Sequence, residues 1–159
     1  MDGMRTPGRI GRGGKAAALA AAFLAAAGAG APAVADDAGK ARYQYILNCA
    51  GCHQADGSGA RSGGVPTMRG QLGHFLRLPE GRAFLVQVPG TSNSPLSNGD
   101  IARMLNWMAA SFSADTVPAG FVPYTEAEVT GLRSKKLANV SAVRRGIVEQ
   151  LAAQGIRID

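Results

Sequence analysis

The chain has 159 residues, 46% of them hydrophobic and only 6% aromatic, with 17 basic side chains against 11 acidic ones. That length fits one domain with a modest core. The net charge of +6 suggests a nucleic-acid partner only until it is located, and much of it lies in the first 15 residues, where Arg5, Arg9, Arg12 and Lys15 face the single acid Asp2.

Residues 16–29 form an uncharged run dominated by alanine, and Ala33-Val34-Ala35 supplies a small-x-small cleavage site. Basic region, short apolar core and cleavage site in that order predict a secretory signal at 1–35, cut after Ala35. The run is too short for a membrane-spanning helix, which needs about 18 apolar residues, and it ends in glycine and proline. No arginine pair precedes it, which points to the general export route. The remaining chain, 36–159, holds 13 basic and 10 acidic residues, so its charge supports no nucleic-acid partner.

Residues 39–48 place Tyr43, Ile46 and Leu47 at helical spacing, with Ala50 on the next turn, and predict a short amphipathic helix. It runs into Cys49-Ala50-Gly51-Cys52-His53, which contains both cysteines of the chain and one of its two histidines. This is the spacing for covalent attachment of a c-type haem. Two thiols three residues apart on one helical turn meet the two vinyl groups of the ring, and the next residue, His53, is carried to the iron as an axial ligand. A zinc site would need four ligands, and His74 is the only other thiol or imidazole. A thioredoxin-like pair would need a βαβ setting that the flanking sequence lacks. A disulfide over two intervening residues would stabilise little.

Residues 54–64 are glycine-rich and predict a loop; Ser62 and the lack of a preceding strand exclude a dinucleotide fingerprint. Pro79 opens a predicted helix with its body at 81–88, ended by Pro89-Gly90, and 91–96 reads as a loop. Ser97 then caps a helix with Asp100 in its first turn, and Ile101, Met104, Leu105, Met108 and Phe112 form its apolar stripe. Residues 114–123 read as a linker over the surface. Thr125-Glu126-Ala127-Glu128 is a capping box opening a helix to about Leu137, and 140–153 makes another. These helices pack on the preceding domain or serve as a docking element, and Lys135, Lys136, Arg144 and Arg145 give them a basic, solvated side.

From 39 to 112 the sequence resembles the small single-haem class I cytochromes c. The resemblance rests on the helix ending in Cys-x-x-Cys-His, the Asp56-Gly57-Ser58-Gly59 loop, Pro66 with Met68 two positions on, and the closing helix with Trp107 placed to pack on the first helix. It implies an all-α fold of cytochrome c-like helices around one covalently bound haem c per chain, with a haem domain at 36–113 and a C-terminal helical extension at 114–159. It also implies that the Pro66 carbonyl accepts the second imidazole N–H of His53, with Met68 walling the ring. Family members usually place a distal methionine on the loop before the last helix, but residues 88–97 contain none. Met68, then Met104, then His74 are the candidates, Met108 is more distant, and an iron without a sixth protein ligand is the alternative.

The expected function is single-electron transfer in the periplasm between redox partners such as a dehydrogenase, an oxidase or another cytochrome, by a free carrier or a subunit and not by an enzyme. The alternative is an open-site haem protein acting as a small-ligand binder, sensor or weak peroxidase. Once Cys49, Cys52 and His53 are committed, no nucleophile and base stand out for hydrolysis.

Overall fold

A computed structural model of the chain describes residues 31–159; most of the expected signal, 1–30, lies outside the described residues. The fold is all-α. Its helices are α1 (Ala31–Asn48), α2 (Ala50–His53), α3 (Leu72–Phe75), α4 (Pro79–Gln87), α5 (Pro89–Ser92), α6 (Asn98–Phe112), α7 (Glu126–Arg133) and α8 (Val140–Ala153). Among the described residues the only β pairing is an isolated bridge between Ala60 and Val65, and no helix is long and apolar enough to cross a membrane.

Two helices, α1 and α6, form the frame. The Ser97 hydroxyl accepts from the Asp100 backbone N–H and starts α6 as its sequence predicts. Ile101, Met104, Leu105 and Met108 are buried along the stripe, while Phe112 is half-buried. On α1 the inward face differs from the one the apolar spacing suggests. Tyr43 and Leu47 are each 63% exposed, whereas Ala41, Gln44 and Tyr45 are buried. An aromatic contact decides the rotation: the Tyr45 ring lies 5.4 Å from Trp107 and 5.0 Å from Phe112, and those two lie 5.2 Å apart. Burying aromatic area in this triangle outweighs the smaller apolar stripe beside it, each fully buried side chain being worth about 1.5–3 kcal/mol. Trp107 thus packs on the first helix, as the resemblance implies.

α4 ends at Gln87, just before Pro89-Gly90 as the sequence predicts, but a further helical turn follows at once. Val88 turns extended and Pro89 opens the single turn of α5, consistent with the preference of proline for a first helical position. The segment read as a surface linker is tied down. The buried Ser113 hydroxyl accepts from the Gly73 N–H at 2.9 Å, and Val117 and Phe121 pack against the main core. Asn106 holds the next stretch by two bonds with the Tyr124 backbone, 3.0 Å to its carbonyl and 2.7 Å from its N–H.

Residues 114–159 share both hydrophobic clusters with the rest of the chain. Val129 and Tyr124 are buried in the cluster with Tyr45, Leu72 and the α6 stripe. Ile147 and Leu151 of α8 close on Phe75 and Phe84, forming a second cluster. The Thr125 hydroxyl caps α7 by accepting from the Glu128 N–H, which is half of the predicted box. The other half is absent because the Glu128 carboxylate is drawn to Arg82, and α7 ends at Arg133 rather than near Leu137.

Candidate functional site

The last turn of α1 hands directly to α2. Cys49 N–H donates to the Tyr45 carbonyl, and the His53 and Cys52 N–H groups both donate to the Cys49 carbonyl at 3.0 and 3.2 Å. The two cysteines and His53 therefore sit on one tight turn. Directly after His53 the backbone reverses through Gln54, which has φ +64 and is the one non-glycine residue with positive φ among the described residues. Such a conformation costs on the order of 1–3 kcal/mol in a side-chain-bearing residue. Two bonds hold it: Gln54 N–H to the Ala50 carbonyl at 2.9 Å, and the Tyr45 hydroxyl to the Gln54 carbonyl at 2.6 Å.

The glycine loop then brings Pro66 back to His53. Gly59 N–H donates to the His53 carbonyl at 3.0 Å, Met68 N–H to the Gly57 carbonyl at 2.8 Å, and Ala60 and Val65 exchange two bonds of 3.0 Å. Gly59 has φ +73, and a Cβ there would stand 2.5 Å from the Pro66 carbonyl oxygen, so only glycine permits this approach. Burial lowers the pKa of His53, with the Pro66 carbonyl opposing the shift, so the imidazole is neutral at pH 7. Its Nδ1 is buried and makes no well-formed hydrogen bond. A neutral imidazole with one nitrogen beside a carbonyl is the state a metal-ligating histidine requires.

These elements open on a cavity of about 480 Å³. Cys49, Cys52, His53, Pro66, Met68, Met104 and Met108 all line it, so the structure gathers nearly every residue singled out from the sequence. His74 is the exception: it is absent from the lining and only partly buried. Burial pushes the Cys49 thiol up to about 11, and its Sγ lies 3.8 Å from the Met104 sulfur. Cys52 is exposed at the rim. The walls are apolar, with Leu72, Phe75, Phe84, Leu85, Val88 and Leu105, and the segment before α6 contributes Gly90 and Thr91.

Residues of α8 also line the cavity, namely Val140, Ser141 and Arg144. The sequence pattern puts Arg144 on a solvated basic side; its guanidinium instead lies over the Phe75 ring at 6.0 Å and donates to the Asp159 carbonyl at 3.0 Å. With Arg61 it lines a smaller opening of about 300 Å³ next to Pro66 and Thr67. No signal in the sequence pairs these two arginines, which are far apart along it.

Among the described residues no group of three or more His, Cys, Asp and Glu side chains is arranged to hold a bare metal ion. The arrangement instead suits a large, flat, mostly apolar prosthetic group bearing two acidic arms, held by two thiols and one neutral imidazole. Over 112 aligned residues the chain is 33% identical to cytochrome c-552 of Thermus thermophilus, an alignment covering 59% of this chain and 85% of that protein. It is also 33% identical to a second cytochrome c-552, from a named strain of the same species, of which 75% is covered. The chain belongs to this family of c-type cytochromes. No protein-family model matches it.

Proposed function

We propose that this protein is an exported electron carrier of the periplasm, holding one haem c per chain and passing single electrons between redox proteins. The observation that carries the reading is the convergence of Cys49, Cys52 and His53 on one apolar cavity, with the Pro66 carbonyl acting on the His53 imidazole. When bound, haem supplies an iron that cycles between two oxidation states. The chain's own residues do the rest. Cys49 and Cys52 anchor the group, Pro66 fixes the imidazole tautomer of His53, and the apolar walls exclude water. Arg61 and Arg144 lie where positive charge would meet the acidic arms. Cys52, exposed at the rim, marks the edge through which electrons would pass.

For the distal position the proposed order is Met68 and then Met104, both of which line the cavity, whereas His74 lies outside it. A second reading, an iron open to small ligands, is favoured by one observation: the segment before α6 presents Val88, Gly90 and Thr91 to the cavity, and none of these is a strong iron ligand. Reduced and oxidised absorption spectra of the exported protein test both readings. A six-coordinate low-spin ferric form supports the carrier, and a high-spin form that shifts on adding cyanide or carbon monoxide supports the open site. Export with cleavage after Ala35 is part of the proposal and is checked by N-terminal sequencing, which should begin at or near Asp36.

A further inference from the structure

α5 and the Val88 before it form one edge of the cavity wall through Val88, Gly90 and Thr91, and the segment that follows, between α5 and α6, contains no methionine. It has little core of its own: Asn93, Pro95 and Ser97 are exposed, and of 92–97 only Ser92 is fully buried. The C-terminal extension holds it, chiefly through one side chain. Arg133, the last residue of α7, donates from Nε to the Ser92 carbonyl at 3.0 Å and from Nη1 to the Leu96 carbonyl at 2.8 Å and the Asn98 Oδ1 at 2.9 Å. Its Nη2 donates to the Ser94 carbonyl. Lys136 adds bonds to Ser92 Oγ at 3.3 Å and Asn93 Oδ1 at 2.8 Å. Four acceptors spread over residues 92–98 are thus gathered on one planar guanidinium, a span that an ammonium group cannot match.

We propose that Arg133 is a positioning residue for the haem site: it clamps residues 92–98 so that the wall made by Val88, Gly90 and Thr91 stays closed, and it thereby sets how readily small ligands reach the iron. A segment without a methionine cannot be fixed by its own bond to iron, and the guanidinium supplies the tie. Substitution at Arg133 frees carbonyls that have no other donor on the extension, so the segment opens locally and the cavity admits ligand more often.

The inference rests on the cavity being a haem site, and the experiment separates the two. Full-length holoprotein is made as wild type, Arg133→Gln, Arg133→Lys and Arg82→Gln. Retention of haem through denaturation reports on the haem reading alone. The rate of cyanide binding to the ferric protein, followed at the Soret band, reports on the clamp. Arg82→Gln is the control, because it breaks a contact between α4 and α7 without touching residues 92–98. The expected result is acceleration by about fivefold or more in Arg133→Gln, a smaller acceleration in Arg133→Lys, and a wild-type rate in Arg82→Gln. If Arg133→Gln does not accumulate as holoprotein, Arg133→Lys against Arg82→Gln carries the same comparison. Wild-type rates in both Arg133 variants, or equal acceleration in Arg82→Gln, overturn the proposal.

Discussion

Arg82 of α4 donates to both carboxylate oxygens of Glu128 in α7, Nε to Oε1 at 2.5 Å and Nη2 to Oε2 at 2.7 Å, joining two positions 46 residues apart. The guanidinium also lies 4.0 Å from the Tyr124 ring centroid and 5.4 Å from that of Phe121. Both side chains of the pair are less than one-third exposed, at 18% and 29%. Glu128→Gln should therefore cost about 1–3 kcal/mol of unfolding free energy in the holoprotein, and Arg82→Ala more, because it also removes the stacking. Urea titrations of the two variants with an unchanged slope would establish this as a stability effect.

Gln54 stores strain directly after His53. Gln54→Gly should relieve it and raise stability by about 1 kcal/mol, since glycine adopts positive φ freely. Tyr45→Phe should act in the opposite sense by leaving the Gln54 carbonyl without its donor. Thermal melts of both, set against wild type, test the pair together.

Asp100 is held well below the usual carboxylate range by hydrogen bonds from Gln44 and Lys40, with further help from Ser97 and Arg103. Folding thus lowers its pKa below the ordinary 3.8, so it contributes stability above that pH and loses it as pH falls toward the folded-state value. The stability gap between wild type and Asp100→Asn should be full near pH 6 and shrink steadily below about pH 4. A gap that stays constant down to acid pH would contradict the assignment.

Covalent attachment is read from mass and extraction. Haem should remain with the wild-type polypeptide through denaturation and acid-acetone treatment, adding the mass of one haem. Cys52→Ser should keep one thioether at Cys49 and lose its cofactor readily. A bare polypeptide mass from cells with a working haem-attachment apparatus would refute the proposal.

The distal ligand is separated by Met68→Ala, Met104→Ala and His74→Ala. Loss of a near-infrared methionine-to-iron band in one methionine variant names that residue. His74→Ala should leave the ferric spectrum unchanged, because the side chain lies outside the cavity lining. If neither methionine variant changes the spin state and wild type binds cyanide rapidly, the open-site reading replaces the carrier.

Local signals carry much of this structure into the sequence. Ser97 and Thr125 cap their helices because a hydroxyl and a backbone N–H three residues away need nothing else to find each other. The α6 stripe is legible for the same reason, its periodicity being strong and continuous. The inward face of α1 is not, because Tyr43, Ile46 and Leu47 count as more apolar than Ala41, Gln44 and Tyr45, and only Trp107 and Phe112 from a distant helix reverse the choice. Glu128 leaves its capping box for a partner that no local pattern names. Arg144 belongs, by sequence, to a basic, solvated side and Arg133 has no sequence signal of its own; the acceptors of both lie where only the tertiary fold puts them.

The Phe75 and Phe84 rings stack 5.9 Å apart, and much of their cover is Ile147 and Leu151. A copy cut short before residue 147 would lack that cover and leave two phenylalanines bare at the edge of its cavity.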